Sequence, residues 1–211
     1  DIVTAGNSTV AIRMPAHPHA LALIQKAGTP IAAPSANEFG RLSPTTAEHV
    51  ESQLGSKIDF ILDGGKCSVG LESTIIQVSG SDIILLRPGG LPVEDIEKVI
   101  GNKIIQGKPV SDNPESPGQL KSHYAPQIPM KFLTKSELAA ASDKKVAGLF
   151  LHENTLDFPF ESVNILSESG NMREAAVNLF SVLHELEKEN VELILCESIP
   201  EIGIGKAIMD R

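Results

Sequence analysis

The sequence predicts an α/β protein built as two units joined by an extended segment, and three observations carry that prediction. Short apolar runs of strand character alternate with stretches of helical spacing from Thr9 to Ile100. The alternation stops between Gly107 and Pro129, where five prolines and three serines occur without apolar periodicity. It resumes from Met130 to Cys196. The organisation expected is therefore a first unit over residues 1–106, a Pro-rich linker or active-site lid over 107–129, and a small α/β unit over 130–211.

In the first unit, Thr9–Arg13 alternates toward a strand ended by Pro15, and His19–Lys26 reads as a helix stopped by Gly28. Pro30–Pro34 is a short apolar strand, followed by the polar turn Ser35–Gly40. Ser43-Pro44 predicts a helix start, serine as N-cap and proline at N1, with Leu54-Gly55 as its end. Further strands are expected at Asp59–Asp63, Ser73–Val78 and Ile83–Arg87, the last two joined by the turn Ser79–Asp82. A helix follows at Val93–Ile100, ended by Gly101. In the second unit strands are expected at Met130–Leu133, Val146–Leu151, Val163–Leu166 and Leu193–Cys196, with helices at Ser136–Ala141 and from Met172 onward. Met172, Ala175, Ala176, Leu179, Val182, Leu183 and Leu186 form one apolar stripe of that long helix, while Glu185, Glu187, Lys188 and Glu189 are assigned to water. Core packing explains the stripe without any function.

The chain has 211 residues, 41% apolar and 21% charged, enough to bury a real core. A net charge of −9 supplies no bulk basic field, which counts against a nucleic-acid module. Its two cysteines, Cys67 and Cys196, lie far apart without CxxC spacing, which suits a reducing compartment, so a cytoplasmic location is expected. There is no run of some eighteen apolar residues and no secretory leader at the start, so no membrane association is expected. The chain opens without Met almost directly on a strand-like stretch and stops inside a helical-looking one, so a fragment is expected.

Chemistry is concentrated where strands meet loops. Pro34-Ser35-Ala36-Asn37 follows a strand, the position at which open α/β sheets bind ligands, and Ser35 and Asn37 carry donors suited to phosphate or carboxylate oxygens. The helix after Ser43-Pro44 would aim free N–H groups and its positive dipole end at the same space. The plainer reading is a turn shaped by Ser35 and Asn37 and a helix merely capped by Ser43. Ser73 and Thr74 emerge from a Gly-containing loop, beside a backbone that a ligand can approach, although Thr74 is also an ordinary strand residue. Arg87 ends an apolar strand, and Arg13 sits similarly; each is costly to desolvate unless it meets an anion or an internal carboxylate. The segment 116–126 holds the chain's single tyrosine, Tyr124, next to His123. Ten extended residues span on the order of 30 Å, enough to cross a small domain's mouth, so Tyr124 reads either as part of a lid over a ligand or as a pin for the linker.

Other motifs fail. His17 and His19 have no carboxylate or cysteine placed with them for a metal, and Gly203-Ile204-Gly205-Lys206 lacks the spacing of a phosphate loop.

Taken together, Thr9–Pro15, Pro34–Asn37 with Gly40 and Ser43-Pro44-Thr45, Glu72–Ile75, Leu86–Gly89, Ser116-Pro117-Gly118, His123–Pro126 and Gly203–Arg211 resemble the threonylcarbamoyl-AMP synthases in their longer two-domain form. The resemblance implies the C-terminal part of a YrdC-like twisted α/β sheet domain, a linker and a small Rossmann-like C-terminal domain. It implies an enzyme that joins L-threonine, bicarbonate and ATP into threonylcarbamoyl-AMP and pyrophosphate for the threonylcarbamoyladenosine modification of tRNA, working with other proteins of that pathway. By motif matching, Arg13, Ala33 and Ser73 would hold threonine. Thr9, Ser35, Asn37, Ser43, Arg87 and Tyr124 would line the ATP side, with Ser35 and Arg87 stabilising charge at the α-phosphate. A magnesium ion carried by the ATP phosphates is expected, with no metal site on the protein. Family members begin with a further stretch bearing a Lys-x-Arg motif, which is absent here, so this chain alone is expected neither to fold stably nor to turn over. The alternative is a non-catalytic RNA-binding or translation-associated module.

Overall fold

The computed structural model describes residues 3–4, 6–107 and 124–211. The first unit holds helices α1 (Pro18–Ala27) and α2 (Ala47–Leu54), followed by a 3-10 turn at Gly55–Lys57. Strands β1 (Ile75–Ser79) and β2 (Asp82–Arg87), helix α3 (Val93–Ile100) and the short strand β3 (Ile105–Gln106) complete it. β1 and β2 pair antiparallel around Gly80, at φ +60°, and a register shift between Ile75 and Ile76 bulges the hairpin. β3 adds to β2 in parallel, and Leu85, Val93 and Ile104 form the small core between this sheet and α3. The ends of α1 and α3 match the expectation, because Gly28 and Gly101 take the left-handed conformation that closes a helix.

Three strand expectations are not met. Thr9–Arg13, Pro30–Pro34 and Asp59–Asp63 belong to no strand ladder among the described residues. Their apolar side chains are correspondingly open to water: Ile12 is 90% and Phe60 92% exposed. Alternation of residues makes a strand only when another strand accepts its hydrogen bonds. The expected helix start is also corrected. α2 begins after Thr46, whose Oγ1 accepts from the His49 N–H at 3.3 Å, and Ser43 lies three residues before this cap with its side chain elsewhere.

The second unit is a four-stranded parallel sheet in the order β4 (Met130–Phe132), β7 (Leu193–Cys196), β5 (Val146–Phe150), β6 (Ser162–Ile165). Helix α4 (Lys135–Ala140) covers one face, and α5 (Met172–Leu186) with α6 (Gly205–Met209) covers the other. β5 and β7 are buried along their whole length, as the central strands of a sheet covered on both faces must be. Asn171 caps α5, its Oδ1 accepting from two backbone N–H groups. Ala175, Ala176, Leu179, Leu183 and Leu186 of the α5 stripe are buried, with Met172 and Val182 half-buried against the same core, and Phe180 and His184 join it. Glu187 departs from its assignment to water: it accepts from Arg41 at 3.2 Å and from the Gln127 N–H at 2.7 Å.

The two units share a core. Leu42 and Tyr124 are packed into the cluster formed by β5, β7, α5 and α6. Around them Thr45 Oγ1 lies 3.0 Å from Ser181 Oγ, and His184 Nε2 lies 3.1 Å from the Ser43 carbonyl oxygen. The His49 and His184 rings stack with centroids 3.9 Å apart. Gly70 explains the close approach. A Cβ there would stand 2.4 Å from the Ala176 carbonyl oxygen, so only glycine lets the 70–72 loop lie on α5.

Candidate active site

The site grows from the end of the β1–β2 hairpin. A loop that turns back on a strand needs one point where two backbones touch, and Gly89 provides it. A Cβ at Gly89 would fall 2.3 Å from the Thr74 backbone nitrogen. The Gly90 N–H then donates to the Glu72 carbonyl at 2.9 Å, and Thr74 Oγ1 donates to the Leu91 carbonyl. Residues 72–74 are thereby locked beside 87–91.

Arg87, at the carboxyl end of β2, is 8% exposed. Its Nε and one terminal nitrogen donate to the Ser73 carbonyl at 3.2 and 2.8 Å, and the other terminal nitrogen donates to the Tyr124 hydroxyl at 3.1 Å. This is the desolvated guanidinium expected from the sequence, and the neutral oxygens of Ser73 and Tyr124 help to hold it in place. Tyr124 is 3% exposed and sits at φ +67°, its ring packed 5.9 Å from that of Phe180. Burial and the Glu72 carboxylate push its phenol up from the ordinary value, against the opposing pull of Arg87 and Arg211. Its hydroxyl accepts a hydrogen bond from Arg87. The pinning role considered for Tyr124 is present, and the rest of the expected lid, 108–123, lies outside the described residues.

Arg13, on the exposed extended segment, reaches Ser73 Oγ at 3.5 Å, the outer limit of a hydrogen bond. Ser43 donates its hydroxyl to Glu72, and Glu72 also accepts from Arg211 Nε at 2.5 Å. Asn37 is 9% exposed, and its amide nitrogen donates to the Glu38 and Arg41 carbonyls at 2.9 and 3.1 Å. That geometry is the turn-shaping reading. Its Oδ1, however, is buried without a partner among the described residues, leaving an acceptor for a donor from elsewhere. Thr9, Ala33 and Ser35 are exposed, and no hydrogen bond joins them to the cluster among the described residues.

The structure thus assembles Arg13, Ser43, Ser73, Arg87 and Tyr124 around Glu72, while Thr9, Ala33 and Ser35 stand apart. Glu72 and Arg211 were not singled out by sequence reasoning, although both lie inside quoted motifs. The signal available for Glu72 was a carboxylate beside two hydroxyl residues in a Gly-containing loop. Among the described residues no group of three His, Cys, Asp or Glu could hold a metal ion. A cavity of about 120 Å³ lies instead in the second unit among Phe132, Leu149, Leu166, Leu179, Cys196 and Ile208. Its wall is mostly apolar, with Lys131, Glu197 and Arg211 also on it.

Comparison with known proteins places this geometry. Residues 1–89 match the Sua5, YciO and YrdC family, described as telomere recombination, and residues 91–211 match the threonylcarbamoyl-AMP synthase C-terminal domain. The chain is 40% identical to a threonylcarbamoyl-AMP synthase of Bacillus subtilis over 220 residues, covering 99% of this chain and 63% of that protein. It is 40% identical to one of Pyrococcus abyssi over 222 residues, covering 100% of this chain and 64% of that protein. The crystal structure of P. abyssi Sua5 complexed with L-threonine superposes with a TM-score of 0.86 at 39% identity, covering 99% of this chain and 64% of that one. The chain thus spans just under two thirds of the length of these relatives, as a YrdC-like part followed by the C-terminal domain. With matches running from residue 1 to residue 211 on both sides of the Arg87–Tyr124 cluster, the chain belongs to the threonylcarbamoyl-AMP synthase family.

Proposed function

We propose that this chain carries the threonine-side and part of the nucleotide-side machinery for making L-threonylcarbamoyl-AMP from L-threonine, bicarbonate and ATP. The observation that carries the reading is the Arg13–Ser73–Arg87–Tyr124 cluster, in which two guanidinium groups converge on one serine of a family member. A relative was crystallised with L-threonine. In the reaction the threonine amine adds to bicarbonate, losing water, and the resulting carbamate oxygen attacks the α-phosphorus of ATP as pyrophosphate leaves.

Arg13, which reaches Ser73 Oγ at 3.5 Å, would pair with the amino-acid carboxylate, and Ser73 would orient it. Arg87, held by the Ser73 carbonyl and the Tyr124 hydroxyl, presents fixed positive charge near the forming bond. Ser43 and the unpartnered Asn37 Oδ1 lie on the loop assigned to the nucleotide. Ser35, Thr9 and Ala33 belong to this assignment through motif matching alone. Catalysis of this kind is positioning and electrostatics. Mg²⁺ would enter as part of the ATP complex. Glu72, the carboxylate nearest the cluster, is committed to Ser43 and Arg211, which fits a metal carried by phosphates. The product would feed threonylcarbamoyladenosine formation on tRNA with other proteins of that pathway. A cytoplasmic location agrees with two unbridged cysteines. No helix of the described residues is long and apolar enough to cross a membrane.

The test is pyrophosphate release by the full-length protein. Release that requires threonine, bicarbonate and ATP together supports the assignment. Release independent of threonine, or none, overturns it.

A further inference from the structure

Arg211 belongs to the second unit, yet its side chain, 1% exposed, is spent on the first. Its Nε meets the Glu72 carboxylate, and one terminal nitrogen donates to the Pro88 carbonyl at 3.0 Å, next to Arg87. Its guanidinium carbon lies 4.9 Å from the centroid of the Tyr124 ring, a cation–π distance. The remaining terminal nitrogen pairs with Asp210. One side chain therefore touches both ends of the site: Glu72, which receives the Ser43 hydroxyl, and Tyr124, which receives Arg87. α6 aims it there, anchored by buried Ala207 and Ile208 and by Lys206, which reaches Glu94 of the first unit at 3.0 Å.

A carboxylate at this position is an electrostatic problem. Glu72 immediately precedes Ser73 and bonds Ser43, so an anionic nucleotide entering the cluster meets a like charge in poorly hydrated surroundings. Arg211 cancels that charge and at the same time packs against the Tyr124 ring, whose hydroxyl accepts from Arg87. We propose that Arg211 is a positioning residue of the adenylate-forming site, supplied by the C-terminal unit, which neutralises Glu72 and fixes Tyr124 so that Ser43 and Arg87 are set for the nucleotide. This rests on the function proposed above. It gives the second unit a part in the reaction at a site in the first.

The two effects separate kinetically. Neutralising Glu72 governs how well ATP binds, while fixing Tyr124 and Pro88 governs how well Arg87 is aimed. In the full-length protein Arg211→Met raises KM for ATP about tenfold, the order expected for an uncompensated charge nearby, and lowers kcat. Glu72→Gln added to Arg211→Met brings KM back to within about threefold of the parent and leaves kcat low. A residue that merely cemented the two units would give no such rescue, because Glu72→Gln breaks the same contact. Arg211→Lys keeps the charge but not the planar fork, so KM stays within about threefold while kcat falls. Melting curves accompany each variant, and where Arg211→Met fails to fold, Arg211→Lys decides. The proposal is overturned if Arg211→Met leaves KM within twofold, if Glu72→Gln fails to relieve it, or if Arg211→Lys matches the parent in both constants. A parent protein without threonine-dependent pyrophosphate release overturns the functional reading and this inference together, whereas an active parent with indifferent variants sinks the inference alone.

Discussion

Replacing Tyr124 in three ways separates its hydroxyl, its ring and its backbone. Tyr124→Phe keeps the ring against Phe180 and under Arg211 but removes the acceptor for Arg87, a bond of 3.1 Å in a buried setting. Hydrogen bonds to charged groups contribute about 1.5–3 kcal/mol. For a chain of this size each kcal/mol moves the melting temperature by about 2–4 °C, so a drop of about 3–12 °C is expected. Tyr124→Ala also empties the space beside Phe180, for a total of about 3–5 kcal/mol. Tyr124→Gly removes the same ring, yet φ is +67°, where a Cβ is disfavoured by about 1–2 kcal/mol and glycine is at ease. At an ordinary position glycine is worse than alanine by about 0.5–1 kcal/mol; here the order should vanish or invert. Thermal melts of the three variants of the full-length protein in one buffer test the series. A Phe variant melting within 1 °C of the parent would refute the account of the Arg87 bond. A Gly variant clearly less stable than the Ala variant would refute the left-handed backbone.

Burial, followed by the adjacent His184 and Lys188, holds the His49 imidazole below its ordinary value, against weaker opposing pulls from Glu185 and Glu48. The unfolded chain therefore takes up a proton at higher pH than the folded one. Stability from this group is complete above about pH 6.5 and is lost as pH falls from there toward the folded value. His49→Asn should flatten the acid side of a plot of melting temperature against pH. Gly89→Ala drives a Cβ into the Thr74 backbone, so a loss of about 1–3 kcal/mol and a weakened threonine isotherm are expected by calorimetry. Cys67 is exposed, whereas burial pushes the Cys196 thiol up to about 11. Iodoacetamide at pH 8 should modify Cys67 in the native protein and Cys196 only after unfolding, read by peptide mass spectrometry.

Elements whose stabilising partners are local in sequence were legible from sequence alone. Val93–Ile100 emerges with the expected ends, because its apolar face and its Gly101 stop are both local. The Asp82–Arg87 hairpin strand likewise follows from its turn. Thr9–Arg13 was misread, since pairing is not written in the strand that seeks it. Ser43 was misread as a cap for a related reason: its partner Glu72 is 29 positions away, and Thr46 offered the helix a hydroxyl nearer its start. Arg87 was legible as a desolvated cation from its apolar run, but its bonds to the Ser73 carbonyl and the Tyr124 phenol were not. Arg211 was invisible as a site residue because only the packing of two units brings it to Tyr124.

Leu42, 1% exposed, lies on the loop that leads into Ser43 but is packed in the core of the other unit. A gene split between the two units would leave one half with an unfilled hole and the other with a bare leucine beside its binding loop. Descent should therefore keep the pair on one chain, with the volume at position 42 matched to the core that receives it. Loop and core would then drift as a single inherited character, even where the surfaces around them diverge.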